Sequence, residues 1–478
     1  MEGPSGWRTM PVDVLENIFQ RLPVKNKGRC SQVCQQWRRG FGSSVSWRRF
    51  TFKDGVFVRR KYTSHSGWQY HIDHWRLKNL ITNTTSAWRT LIIEPVTNIF
   101  NLYEFFRVLG NYSEYYEKFN MKDRPMAKIH TFDFKWRLHI DNNDAGGAVA
   151  EKDVGTGGQI LHSLSNVLQY LHGLQSLTLV DLQLTHAESD DFLLTLLEKF
   201  GEKLTYLSLL NVTLYPKPVL QVGCFLKLRK LLVSPQMLST DTLSLIACLE
   251  HLETLSIVQV TIVPSLTSGY PPSHFQDEKS SQSTDISRHA WNMFTKQNMG
   301  RTRVWLILRG KPKTTLIIQP DAPVYGIKME ESAGQLTLEL AEQIANFYSE
   351  TLHHFIQCGL ERMKRGKKME ERVDCALIEI VSRCQYLERV ACRERMSYGT
   401  AIMLSVYAER LGFNLWVRKN ALLKRICWCR LDMEAYAINF DWLKERCRSE
   451  DTVIETIQGN TGQLMTVLDD KSYRALKI

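Results

Sequence analysis

A short motif, L-x-x-L-x-L, stands at Leu174-Gln-Ser-Leu-Thr-Leu, Leu204-Thr-Tyr-Leu-Ser-Leu, Leu228-Arg-Lys-Leu-Leu-Val and Leu252-Glu-Thr-Leu-Ser-Ile, and the last three copies begin 24 residues apart. One such copy cannot bury its own apolar face. Copies stacked at a fixed spacing bury each other's, so the pattern predicts a solenoid of repeated strands and helices. Looser copies begin at Trp88, Ile129, Leu387 and Leu423, while Val304-Trp-Leu-Ile-Leu and Leu316-Ile-Ile predict strands that do not keep the motif.

Helical stripes separate these runs. Residues 159–171 carry Ile160, Leu161, Leu164, Val167, Leu168 and Leu171 at helical spacing, and 188–200 carry Phe192, Leu193, Leu196, Leu197 and Phe200 before Gly201. Residues 336–360 and 373–383 read as helices too. The regular spacing lies in the range of leucine-rich repeats, so an irregular leucine-rich-repeat-like solenoid over 53–446 is expected. Two polar or glycine-rich stretches, 141–158 and 264–285, read as insertions. Residues 447–478 are left as a tail or cap, and 1–9 as a short tail.

The amino-terminal segment has another character. Pro11 suits a helix start, Asp13 and Glu16 favour its positive end, and Val14, Leu15, Ile18, Phe19 and Leu22 form one stripe before Leu22-Pro23 ends it. Cys30, Val33, Cys34 and Trp37 predict a second helix, with Asn26 able to cap it. Gly40 and Gly42 would close it, and Val45, Trp47 and Phe50 supply a last cluster. Some forty residues in short helices bury too little surface for independence, so the module is expected to lean on a partner or on the next domain.

Those residues resemble the F-box: a leading Met10-Pro11, the Ile18-Phe19 pair, Leu22-Pro23, Val33-Cys34, Trp37 and a final Trp47. The family's usual first leucine is Met10 here, and Asn26 stands where an aspartate is common. The resemblance, over residues 10–52, implies docking onto a Skp adaptor protein, with a cullin and a RING subunit recruited indirectly. It nominates Pro11, Leu15, Ile18, Phe19, Leu22, Pro23, Val33 and Trp37 as adaptor-facing or interface-supporting. The fold class expected for the whole chain is α/β, a three-helix F-box followed by the solenoid. The implied function is the substrate-recognition subunit of a Skp-cullin-F-box ubiquitin ligase, presenting protein substrates for ubiquitination and proteasomal degradation.

In L-x-x-L-x-L the leucines point inward and the alternate positions outward. The outward set includes Ser176, Thr178 and Val180, then Tyr206, Ser208 and Leu210, then Lys230, Leu232 and Ser234, then Thr254, Ser256 and Val258. Among the looser copies it includes Arg389, Ala391, Arg393 and Arg425. Arg389, Arg393 and Arg425 are the candidate substrate-binding cations, because guanidinium forks suit carboxylate or phosphate groups. The run Arg362-Met-Lys-Arg-Gly-Lys-Lys reads as an exposed basic loop.

No phosphate loop, G-x-S-x-G elbow or H-E-x-x-H occurs, so the chain is expected to be a non-catalytic adaptor needing no cofactor. Eleven cysteines without a C-x-x-C pair give no metal-site pattern, and His71, Asp73 and His74 form only an isolated local group. The first residues lack a secretory-signal pattern, and no apolar run is long enough to span a membrane, so an intracellular protein, cytoplasmic or nuclear, is expected. A net charge of +11 keeps a nucleic-acid-binding alternative open, though no zinc finger or RNA-binding motif supports it. A repeat scaffold acting without the cullin is the other alternative.

Overall fold

A computed structural model describes residues 6–7, 10–64, 67–96, 98–121, 124–135, 157–213, 216–260, 286–310, 314–331, 333–360, 373–424, 440–462 and 465–476. They divide near residue 230 into two compact units, the first running to Arg229 apart from residues 218–220.

The first unit opens with three helices, α1 (Val12–Arg21), α2 (Val24–Cys30) and α3 (Gln35–Gly42). The single second helix expected around Cys30–Trp37 is two, with a turn at residues 31–33 between them. The proline of Leu22-Pro23 starts α2 earlier than expected, at Val24, and Asn26 lies inside that helix and does not cap it. Gly40 lets α3 close on α1: a Cβ there would meet the Phe19 ring at 2.9 Å and Leu15 Cβ at 3.1 Å. After a 3-10 turn at Val45–Trp47 the chain enters β1 (Arg49–Phe52), then an antiparallel hairpin of β2 (Val58–Thr63) and β3 (Gly67–Ile72).

The repeats follow as α4 (His74–Thr84), β4 (Thr90–Ile93), α5 (Ile99–Lys118), β5 (Thr131–Lys135), α6 (Gly157–Gln169), β6 (Ser176–Val180), α7 (His186–Phe200) and β7 (Tyr206–Leu210). Strands β1, β4, β5, β6 and β7 pair in parallel in that order. Their register aligns Phe50, Leu91, Phe132, Leu177 and Leu207 in one row, every one of them at 0% exposure. Each such side chain contributes about 1.5–3 kcal/mol by leaving water, which is why the leucine spacing fixes the fold. Helix starts are set by side chains: Asp73 accepts from the N–H groups of Trp75 and Arg76, and Thr185 with Glu188 forms a capping box. His71 thus lies within β3, Asp73 caps α4 and His74 begins it.

The second unit continues with β8 (Lys230–Val233), α8 (Thr240–Ala247), β9 (Thr254–Val260), α9 (Arg288–Gln297), β10 (Arg303–Arg309), β11 (Val324–Met329), α10 (Leu338–Tyr348) and β12 (His354–Gln357). It ends with α11 (Asp374–Arg383), β13 (Arg389–Cys392), β14 (Met396–Ser397), α12 (Tyr398–Leu411), β15 (Asn414–Arg418), β16 (Leu422–Leu423), α13 (Phe440–Arg446), α14 (Glu450–Thr461), β17 (Met465–Leu468) and α15 (Asp470–Arg474). All of its main strands pair in parallel, through to β17 on β15. The described residues beyond Arg446 therefore add α14, β17 and α15, with β17 joining the sheet on β15. The fold is the α/β leucine-rich-repeat-like solenoid expected.

Three further expectations change. Residues 336–360 are not one helix: α10 stops at Tyr348, and β12 follows within the same apolar stretch. Leu316-Ile-Ile is no strand; Leu316 is buried from a loop and the Ile317 N–H donates to Gln259 Oε1 at 2.9 Å. Alternate strand positions are not uniformly open either, because Val180, Leu210, Leu232, Ser234, Ser256 and Val258 are all buried. Toward their carboxy ends these strands are covered on both faces, as parallel strands commonly are. The insertions at 141–158 and 264–285 and the basic run from Arg362 fall outside the described residues, apart from 157–158 at the start of α6.

Candidate functional site

Two surfaces carry the candidate residues, one in each unit. In the amino-terminal module the stripe of α1 splits lengthwise. Leu15 and Phe19 are wholly buried, Phe19 meeting the edge of Trp37 at 5.8 Å between ring centres. Pro11 and Pro23 are exposed, Ile18 and Leu22 half-buried, and Val14 40% exposed on the same side. Val33, in the turn between α2 and α3, is 60% exposed, whereas Trp37 is half-buried and its Nε1–H donates to the Trp7 carbonyl at 3.0 Å. Val14 was read as part of the stripe but not nominated as adaptor-facing; its signal was its place one helical step from Pro11 and Ile18.

The module's core rests on a buried lysine. Lys27 donates to the Ser46 carbonyl at 2.5 Å and lies 4.7 Å over the Trp47 ring, while Ser46 Oγ donates to the Gly40 carbonyl at 2.6 Å. Trp47 in turn donates to the Phe41 carbonyl at 2.7 Å. Burial pulls the Lys27 ammonium down to about 8. Lys27 thereby ties α2 to the turn before β1, so a greasy outer stripe sits on a braced inner one.

In the second unit the strand face carries an aromatic and cationic patch. The register places Trp305, Gly326, His354, Arg389 and Asn414 across successive strands. Trp305 lies flat over Gly326, where a Cβ would stand 2.6 Å from its ring, and it stacks on His354 at 5.4 Å. Tyr325 stacks on His353 at 4.4 Å, and the Arg303 guanidinium lies 4.6 Å over the Tyr325 ring. Tyr386 is 56% exposed beside His353, and Arg389 is exposed at the head of its strand.

His354 is 94% covered, its Nδ1 has no hydrogen-bond partner, and Nε2 meets the Tyr325 hydroxyl at 3.2 Å. Burial, with Arg389, His353 and Arg303 adding to it against the opposing pull of Glu388, lowers its imidazole to about 4. His354 is therefore neutral at pH 7, and its 3.7 Å approach to Glu388 is not an ion pair there.

The two candidate arginines among the described residues, Arg389 and Arg393, part ways at this face. Arg389 is on it. Arg393 is 5% exposed, and its guanidinium donates to the carbonyls of Glu331 (2.9 Å), Ala333 (2.6 Å), Gly334 (2.9 Å) and Cys358. It ties loops together and presents nothing outward. Arg425 lies outside the described residues. Arg303, Trp305 and Tyr325 stand on this face and were missed because β10 and β11 do not carry the leucine motif.

Among the described residues no group of three or more His, Cys, Asp or Glu is placed to hold a metal, and no helix is long and apolar enough to cross a membrane.

Residues 7–49 match the F-box domain, and the chain carries an F-box there. Over 47 residues the chain is 40% identical to F-box/LRR-repeat protein 21 of Mus musculus, a stretch covering 10% of this chain and 11% of that protein. Among solved structures, the complex of Rad7 and Elc1 in yeast aligns over 98% of this chain and 91% of that one at 12% identity, with a TM-score of 0.35. That likeness is too loose to argue from.

Proposed function

We propose that this F-box-carrying chain is the substrate-recognition subunit of a Skp-cullin-F-box ubiquitin ligase, with residues 10–52 as the adaptor module and 53–446 as the recognition domain. F-box domains bind Skp adaptors in general and are generally carried by non-catalytic subunits. The observation that supports the reading here is the outer stripe of the module: Pro11, Val14, Ile18, Leu22, Pro23 and Val33 are apolar and open or half-open. Leu15, Phe19 and Trp37 support that stripe from within. The chain then acts by proximity, raising the effective concentration of substrate lysines near a conjugating enzyme brought by the cullin and its RING subunit. It needs no cofactor for that, and the modified substrate is destined for the proteasome.

The protein substrate is proposed to bind the patch of Trp305, Tyr325, His353 and Tyr386, with Arg303 and Arg389 facing carboxylate or phosphate groups. Affinity purification from cells with cullin activation blocked tests both halves. Val14→Glu/Ile18→Glu changes one exposed and one half-buried position and should lose adaptor and cullin while retaining other partners. Arg303→Glu/Arg389→Glu should do the reverse. Adaptor and cullin retained at full level by the first variant would refute the ligase reading; adaptor retained by the intact chain without cullin would leave a scaffold instead.

A further inference from the structure

We infer that the first unit holds a second docking site, a cleft that takes an acidic, extended segment of a partner protein as an added strand. The cleft has a volume of about 1240 Å³ between the 20–32 stretch and the chain from Arg49 to Val58. That exceeds the roughly 300–1,000 Å³ of a small-ligand pocket and suits a length of chain. Arg21, Lys25, Arg29, Arg49 and Lys53 line it, and none of the five has an ion pair among the described residues. Among the described residues of the lining, only Asp54 and Glu94 oppose them. Five unpaired cations around one concavity favour an anionic occupant.

The floor says what form that occupant takes. Among the described residues β1 is the edge strand, paired with β4 alone. Thr90 N–H donates to Arg48 O at 2.9 Å and Glu94 N–H to Phe52 O at 2.9 Å, so the even positions of β1 face β4. Main-chain groups alternate sides along a strand, so those of Arg49 and Thr51 face away, toward the cleft these residues line. A charged edge repels its own kind but accepts a strand of opposite charge. Backbone bonds then supply affinity, and alternate carboxylates reach Arg49 and Lys53 along one face.

This site goes beyond the ligase reading, although Leu22 and Pro23 line the same cleft, so the two surfaces adjoin. The test uses the full chain bound to its Skp adaptor and a short fluorescein-labelled peptide of alternating Glu and Val, followed by fluorescence anisotropy. Lys25→Glu/Arg29→Glu and, separately, Thr51→Pro should each weaken peptide binding at least about tenfold. Proline removes the outward N–H at an edge and spares the bonds to β4. Adaptor retention is read in parallel and should not change. Binding unchanged in both variants, no binding by the intact complex, equal binding of a Lys–Val peptide or of single-stranded DNA, or adaptor lost together with the peptide would each overturn the inference.

Discussion

His354 shows how much a single side chain's surroundings decide. Covered by Trp305 and Tyr325, it holds its proton only below about pH 4, whereas an unfolded histidine titrates near 6.5. Between those values the unfolded chain binds a proton that the folded chain does not. His354 therefore contributes stability that is full above pH 6.5 and is lost as pH falls toward 4. In urea unfolding of the intact protein at pH 7 and pH 5, His354→Phe, which keeps the stacking on Trp305, should narrow the gap between the two midpoints. An equal gap in both proteins would show that His354 is not the proton sink. Nothing near His354 in the sequence announced this, because the rings around it come from neighbouring strands. The F-box residues were legible by contrast: their partners lie within one short stretch, so spacing alone sorted Leu15 and Phe19 into a stripe.

At the level of elements, the regular copies were readable because their inward leucines sit at fixed offsets, and β6, β7, β8 and β9 all form at them. The looser copies at Trp88, Ile129 and Leu387 form β4, β5 and β13. β12 was hidden because the apolar period of α10 runs straight into His354-Phe-Ile-Gln, and only the packing of Phe355 between Ile327 and Val390 makes it a strand. Arg393 was misplaced for a related reason. Alternation along β13 points it outward, yet its acceptors are carbonyls of residues 331–334 and 358, distant in sequence. Arg393→Met should leave those carbonyls unpaired and cost at least about 3 kcal/mol in urea unfolding. Arg389→Met, four residues earlier, should stay within about 0.5 kcal/mol. Similar losses from both would mean the guanidinium of Arg393 is not the tie between these loops.

For the whole molecule, the carboxy-terminal residues matter more than a tail would. Beyond the pairing of β17 with β15, the buried Arg418 forks onto Asp470 at 2.6 and 2.7 Å, and that contact holds the Asp470 carboxyl below its ordinary range. The Tyr473 hydroxyl donates to the Gln357 carbonyl at 2.7 Å. Truncation after Arg446 strips all three and leaves Arg418 without its counter-ion. Scanning calorimetry should show the second unit melting at least about 5 °C lower; an unshifted transition would return these residues to the status of a tail.

That last bond also has a timetable. Within each unit, each main strand pairs with the next one along the chain, so a nascent polypeptide leaving the ribosome can lay down that unit's repeats in the order they are synthesised. Tyr473 reaches much farther back, 116 residues to Gln357. The latch can close only once residues 465–476 have been made, so the edge of β15 stays open until β17 is in place.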